Sequence, residues 1–178
     1  MPFAYYARLT RAQQAIYRKS DEVTAVRLPE SAALRPLADE LALALASEDR
    51  LKTQAAAQRL LSGLAFYLDA PPVRVELLAA RPARSWGELH GLYTTATRNR
   101  PAHITLWMRT ARQKRVVAFR TFLRTLLHEL GHHVDYTVLK LADSFHTEGF
   151  YKRESSLFHQ LMDDRGRDTS PGQPQTPL

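Results

Sequence analysis

The residues best suited to chemistry form the run His128-Glu129-Leu130-Gly131-His132, an HExxH motif in an apolar stretch of this 178-residue chain. Side chains four residues apart on an α-helix lie on one face, about 6 Å apart along the axis. At that spacing the imidazoles of His128 and His132 can hold one zinc ion, and Glu129 can reach a zinc-bound water. Gly131 leaves room for a close packing partner. The motif therefore predicts a metal site on a helix, with Glu129 as its acid–base group.

A catalytic zinc site needs a third protein ligand, and the sequence offers two candidates. The chain contains no cysteine, so the third ligand is a histidine or a carboxylate. If the metal helix continues to Leu141 and the next helix returns antiparallel, Glu154 lies level with His132. Glu154 also lies on an apolar helix face, where a carboxylate needs a cationic partner, either zinc or an arginine. His146 is the alternative, and it reaches the metal only if the helix ends near residue 136.

Several polar residues after the motif can support such a site. Asp135 follows His132 by three residues on nearly the same face, where it either orients an imidazole or is an ordinary solvated carboxylate. Tyr151, Arg153 and His146 are candidates for the group that stabilises the transition state. Each of these three also has an ordinary alternative, as a packed tyrosine or as a surface arginine or histidine.

Hydrophobic periodicity predicts an α+β fold in which helices come first, a small three-stranded sheet follows, and the metal helix and a last antiparallel helix end the fold. The expected organisation is a helical N-terminal segment (1–72), a core that carries the metal site (73–162) and a Pro- and Gly-rich disordered tail (163–178). The expected helices are about 8–19, 29–47, 49–68, 117–141 and 147–162, and the expected strands are about 73–77, 89–97 and 103–108. The last strand should present a free edge over the metal, where an extended peptide can pair with it.

The motif and its surroundings resemble the zincin metallopeptidases over roughly residues 73–162. HELGH is similar to the motif of ImmA/IrrE-type and other gluzincins, whose third ligand is a glutamate on the following helix. Glu154-Ser155-Ser156-Leu157-Phe158 looks like the corresponding segment of that group, although the small Ala-Asn pair usual after the glutamate is missing. This resemblance implies a zinc site made by His128, His132 and Glu154.

A second resemblance competes with the first. In the SprT-like group a third histidine follows the motif by about 15 residues, and an aromatic residue comes four positions later. His146-Thr147-Glu148-Gly149-Phe150 is similar to that pattern, although it lacks the glycine usual directly after the histidine. This resemblance implies His146 as the third ligand. Residues 1–72 resemble no family.

Charge and composition limit the kinds of partner that the protein can have. The net charge is +7, and no acidic residue occurs between Arg98 and Leu127. The stretch from Arg98 to Arg124 contains eight basic residues, which either bind DNA or an acidic partner or form a solvated surface. The N-terminus lacks the pattern of a secretory signal, and no apolar run approaches the ~18 residues of a membrane span. We expect a cytoplasmic protein without a membrane segment.

These features together predict a zinc-dependent metallopeptidase that hydrolyses peptide bonds by a zinc-activated water with Glu129 as general base. One alternative is a SprT-like protease that acts on DNA-associated protein. Another is a non-catalytic zinc-stabilised regulatory or binding module, as the ImmA/IrrE resemblance also allows. The expected partner in the first hypothesis is a peptide or protein substrate.

Overall fold

A computed structural model describes residues 3–84, 87–88 and 90–162. The predicted α+β class is confirmed, because the described residues form five α-helices and a small mixed three-stranded sheet. The predicted tail at 163–178 lies outside the described residues, as does the first residue of the strand predicted at 89–97.

Three helices precede the sheet, as the sequence predicted. A short 3-10 helix, Ala4–Arg8, leads into α1 (Arg11–Glu22), and α2 (Ser31–Ala46) and α3 (Arg50–Tyr67) follow. Thr10 begins α1 with a reciprocal capping box to Gln13, and the Asp49 side chain accepts a hydrogen bond from the Lys52 backbone at the start of α3. These caps explain why the helices begin at these positions.

The three-stranded sheet has the order β1-β5-β4. Its strands are β1 (Arg74–Ala80), β4 (Gly91–Thr94) and β5 (His103–Arg109), and a separate two-stranded ribbon joins β2 (Ala83–Arg84) to β3 (Gly87–Glu88). β5 lies in the centre, parallel to β1 and antiparallel to β4.

The prediction that the strand before the metal helix has a free edge is wrong. β5 is bonded on both sides, and all five of its inner residues, Ile104 to Met108, are buried. A continuous apolar strand of this kind belongs in the centre of a sheet. Among the described residues the two edge strands are β4 and β1, and the β1 backbone at Val75 and Leu77 bonds glutamine side chains of α3.

The metal helix α4 spans Phe119–Thr137 and ends four residues earlier than predicted. No glycine or proline stops it. Lys140 adopts the left-handed conformation, with φ of 53°, and the Leu141 amide turns back to bond the Asp135 carbonyl at 2.9 Å. The β-branched Thr137 and Val138 are weak helix formers that favour this stop. An irregular loop, residues 138–147, then leads to α5 (Glu148–Met162).

One hydrophobic core joins the elements on both sides of residue 72. It includes Leu41 of α2, Leu60 of α3, Ile104 of β5, Leu126 of α4 and Phe158 of α5, each at most 1% exposed. Within the described part of the chain, no helix combines the length and the apolar character needed to cross a bilayer.

Candidate metal centre

Three histidines meet at one point of the structure. His128 and His132 project from one face of α4, as the motif predicts, and the 138–147 loop brings His146 to them. The Nε2 atom of His146 lies 3.0 Å from Nε2 of His128 and 3.1 Å from Nε2 of His132. The three side chains are therefore close enough to bind one metal ion.

The outer nitrogen of His128 faces a carboxylate. Its Nδ1 lies 3.0 Å from Oε2 of Glu154, and the other oxygen of Glu154 lies 3.6 Å from the Arg124 guanidinium. A carboxylate accepts hydrogen bonds, so the imidazole proton resides on Nδ1 and Nε2 is left with its lone pair. Glu154 thus orients His128 from behind, and it is not one of the three residues that meet at the possible metal position.

The outer nitrogen of His132 is fixed by a buried relay. Nδ1 of His132 lies 2.7 Å from Ser144 Oγ, which lies 2.8 Å from Oδ2 of Asp135. The single hydroxyl proton of Ser144 goes to Asp135, so Ser144 accepts the Nδ1 proton of His132. Arg153 donates to the second oxygen of Asp135 at 2.7 Å. Burial raises the pKa of Asp135, and Arg153 opposes that shift by favouring the carboxylate.

The arrangement fits a bound cation. Because His128 and His132 are both protonated on Nδ1, their Nε2 atoms carry lone pairs, and both atoms face the Nε2 of His146. That nitrogen carries one hydrogen at most, so at most one of the two contacts can be a hydrogen bond. Burial, followed by the proximity of His128 and His146, lowers the pKa of His132 to about 3. His132 is therefore neutral near pH 7 and does not supply a second hydrogen between the facing nitrogens. Nitrogens held tetrahedrally at 2.0–2.1 Å from zinc are about 3.3 Å apart, close to the observed separations.

An aromatic ring forms the floor of this cluster. The centroid of Phe150 lies 5.0, 4.8 and 5.3 Å from those of His128, His132 and His146. Gly131 permits this packing, because a Cβ atom there would lie 3.0 Å from the Phe150 ring. The close partner expected beside Gly131 is therefore Phe150, which keeps water away from the inner side of the histidines.

Glu129 lies next to the cluster and is 6% exposed. Burial raises the pKa of its carboxyl from 4.5 to about 7, and His128 and a hydrogen bond from the Tyr93 backbone reduce that rise. Its carboxylate contacts β4 at Gly91, where a Cβ atom would lie 2.5 Å from Oε1. A carboxyl group with a pKa near neutrality can both accept and return a proton.

A cavity of about 620 Å³ opens above the three histidines and Glu129. Its lining includes Gly91, Leu92 and Tyr93 of the edge strand β4, His90 directly before that strand, and Arg124 and Thr125 of α4. The backbone of an exposed edge strand offers unpaired N–H and C=O groups along such a cavity.

Sequence reasoning missed four residues of this site: Ser144, Gly91, Tyr93 and Tyr136. Ser144 belongs to the relay, and the other three line the cavity. The Tyr93 hydroxyl donates to Nδ1 of His133, whose Nε2 bonds a backbone carbonyl at Pro71, so His133 is a buried packing residue. Of these four residues only Gly91 had a signal in the sequence, because a glycine within a strand pattern often marks a close backbone approach.

The two other candidates for transition-state stabilisation lie away from the cavity. Arg153 is 2% exposed and its guanidinium is fully engaged with Asp135 and the end of α1. Tyr151 is 43% exposed, and its ring lies on the far side of His146 with a centroid distance of 5.8 Å. Tyr136, by contrast, lines the cavity itself, and its hydroxyl donates to Asp143 in a long bond of 3.4 Å.

The basic stretch from Arg98 to Arg124 is divided by the fold. Arg109 pairs with Glu48, and Arg124 lies 3.9 Å above the ring of Phe158. The exposed members are Arg98, Arg100, Arg112, Lys114, Arg115 and Arg120.

Comparisons of the chain with protein-family models, with curated proteins and with solved structures each give no match. The resemblance to zincins therefore rests on the motif, and the functional argument rests on the geometry of the site.

Proposed function

We propose that this protein is a zinc-dependent metallopeptidase in which His128, His132 and His146 hold the metal and Glu129 transfers protons. The observation that carries the proposal is the meeting of three imidazole nitrogens beside a buried carboxylate, beneath the edge of β4. His146 replaces Glu154 as the third ligand, because Glu154 bonds the outer nitrogen of His128.

The donor set favours a catalytic zinc site. Three imidazoles suit zinc as well as several other transition metals, and HExxH on a helix favours zinc among them. Structural zinc sites are usually closed by four protein ligands, whereas catalytic sites keep one position open. The cluster supplies three histidines and faces a cavity, which supports a catalytic role.

Bound zinc supplies a Lewis acid that polarises a carbonyl and makes water acidic near neutral pH. Glu129 accepts the proton of the attacking water and returns it to the leaving amine, a task suited to a pKa of about 7. The hydroxyl of Tyr136 can donate to the developing oxyanion if it leaves its long bond to Asp143, whereas the Tyr93 hydroxyl is committed to His133.

The edge strand supplies a place for the substrate. A peptide that pairs with β4 at residues 91–94 extends the sheet by one strand and runs through the cavity past Glu129. Such pairing uses the substrate backbone, so it requires an extended segment of polypeptide and places few demands on its sequence.

The decisive experiment compares wild type with Glu129→Gln. We expect purified protein to contain about one zinc per chain and to cleave casein or a quenched fluorescent peptide library. Glu129→Gln should keep the zinc and lose at least about 100-fold in turnover, because the proton transfer is lost. A wild-type protein that binds no zinc, or cleavage that survives the substitution, refutes the proposal.

A second candidate function, the SprT-like cleavage of DNA-associated protein, is supported by one observation. His146, with Phe150 four residues later, joins the metal cluster, and this pair carries the resemblance to that group. The exposed cluster Arg112, Lys114 and Arg115 lies in the loop before α4 and gives DNA a place to bind.

DNA binding in a gel shift at low salt tests this second function. Reversing the three loop charges to glutamate should abolish binding that is strongly salt dependent. Reversing Arg11, Lys19 and Arg27 instead changes the net charge equally and serves as the matched control. No DNA binding at low salt, or equal loss in both triple variants, argues against this candidate.

A further inference from the structure

We propose that residues 3–23, which we call the N-terminal arm, position the metal ligands, with Tyr5 and Arg153 as the positioning residues. The inference rests on the proposed metal centre and is independent of peptidase activity. Its basis is a set of contacts, buried at Arg153 and more exposed at Tyr5, that join the arm to the side chains behind His132 and to the loop that carries His146.

Arg153 joins the arm to the metal helix. Its Nη1 donates to the carbonyls of Ser20 and Val23 at 2.6 and 2.5 Å, and its Nη2 donates to Asp135 Oδ1 at 2.7 Å. Arg153, Ser20 and Asp135 are at most 2% exposed, so water cannot replace these bonds. The two carbonyls belong to the last turn and end of α1, where the helix dipole favours a cation.

The same guanidinium is the last member of the relay behind His132. Arg153 and Ser144 both donate hydrogen bonds to Asp135, and Ser144 accepts one from Nδ1 of His132. The orientation and the tautomer of a metal ligand depend on the partner of its outer nitrogen. A planar guanidinium can contact several acceptors at fixed angles at once, whereas a lysine ammonium is a point charge on a flexible stem.

The arm also holds the loop that carries the third ligand. The Tyr5 hydroxyl donates to the His146 carbonyl at 2.8 Å, and the Asp21 carboxylate accepts the Gly149 amide at 2.7 Å. Tyr17, which is 1% exposed, packs against Phe145 with a centroid distance of 6.2 Å. These contacts restrain the chain on both sides of His146.

The physical consequence is a coupling between the arm and the metal. His146 lies in an irregular loop, and ordering such a loop costs roughly 1–2 kcal/mol per residue in backbone entropy. If the arm orders the loop before the metal binds, that cost does not reduce metal affinity. By thermodynamic reciprocity, the bound metal must then stabilise the docked arm to the same extent.

The test measures zinc affinity by chelator competition and cobalt coordination by visible absorption, in full-length protein. Arg153→Met should weaken zinc binding about 10- to 100-fold, the usual effect of removing a group that orients a ligand. Arg153→Lys should recover only part of this loss. Tyr5→Phe should weaken binding about 2- to 10-fold and change the cobalt spectrum, since one hydrogen bond to the loop is lost.

Two controls separate positioning from general stability. Tyr6→Phe removes a hydroxyl that bonds Arg18 within the same aromatic group, and it should leave zinc affinity unchanged. Leu41→Ala removes a fully buried side chain of α2 and should lower the unfolding free energy in chelator without a matching loss of affinity. Zinc should also slow amide exchange in α1 of the wild type, and Arg153→Met should remove that effect.

The outcomes distinguish this inference from the proposed function. A wild-type protein that binds neither zinc nor cobalt overturns the metal centre and the inference together. Metal bound by the wild type with unchanged affinity in Tyr5→Phe and Arg153→Lys overturns the inference alone. Equal loss of affinity in Leu41→Ala has the same meaning, since it assigns the effect to stability. If Arg153→Met does not fold, Arg153→Lys and Tyr5→Phe still decide.

Discussion

At the scale of single residues, the two nitrogens of each α4 imidazole have separate tasks. Glu154 and Ser144 occupy the outer nitrogens of His128 and His132, which leaves both inner nitrogens directed at one point. Glu154 therefore contacts the histidine cluster through the outer nitrogen of His128. A carboxylate behind a ligand also makes that ligand a better electron donor.

Substitution of the two candidate third ligands should give losses of different size. We expect His146→Ala to weaken zinc binding by more than about 100-fold, because a ligand is lost, and Glu154→Gln by about 10- to 100-fold, because an orienting group is weakened. Titration against a chromophoric chelator measures both. A larger loss in Glu154→Gln than in His146→Ala restores Glu154 as the ligand.

The raised pKa of Glu129 makes a prediction about the stability of the metal-free protein. The folded pKa of about 7 exceeds the ordinary 4.5, so the ionised carboxylate destabilises the fold. This destabilisation is absent below pH 4.5, grows between pH 4.5 and 7, and is complete above pH 7. Glu129→Gln should therefore raise the unfolding free energy by about 1–3 kcal/mol at pH 8 and by less at pH 5.5.

Urea unfolding in the presence of a chelator measures this difference at the two pH values. Gln is close to Glu in size, so packing changes contribute little. An equal effect of the substitution at pH 5.5 and pH 8 would mean that Glu129 is solvated in the metal-free protein.

The sequence was sufficient to predict three residues of the site and insufficient to choose the fourth. His128, Glu129 and His132 are related by helix geometry alone, which is local. The choice between Glu154 and His146 depended on where α4 ends, and the left-handed turn at Lys140 that ends it has no glycine or proline signal. Ser144 lies between the two expected helices, and its approach to His132 depends on the same early end of α4.

At the scale of elements, β4 connects the sheet to the carboxylate of Glu129. Its residue Gly91 contacts Glu129 so closely that a methyl group there would overlap Oε1, Cγ and Cδ of the glutamate. The edge strand β4 is thus both part of the cavity lining and a close packing partner of Glu129. The run from Ile104 to Met108 was a signal for a central strand, and the prediction of a free edge there did not use it.

Gly91→Ala should therefore reduce turnover through Glu129 rather than through the metal. We expect the added methyl group to displace the carboxylate and to lower kcat by at least about 10-fold, with zinc content unchanged. Leu92→Ala, at the neighbouring exposed position of the same strand, is the matched control for strand stability. Activity retained in Gly91→Ala would show that Glu129 tolerates a different position.

At the scale of the whole molecule, the helices before the sheet share their core with the metal-bearing elements. Leu41 and Leu60, from α2 and α3, belong to the same buried cluster as Leu126 of α4. The sequence correctly indicated the number and order of the helices, because their amphipathic periods and caps are local signals. The docking of α1 on α5 was not predictable, since it depends on long-range contacts that Arg153 and Gly149 make with the end of α1.

The fixed tautomers of the histidines also determine how many protons leave the protein when a metal enters. Burial lowers the pKa of His132 to about 3 and also lowers the pKa of His146, so neither imidazole holds an extra proton at pH 8. The Nδ1 protons of His128 and His132 stay on their hydrogen bonds. The histidines should thus release no proton when zinc binds at pH 8, so the buffer dependence of the calorimetric heat, after correction for zinc–buffer binding, should correspond to no more than the one proton that a zinc-bound water can lose.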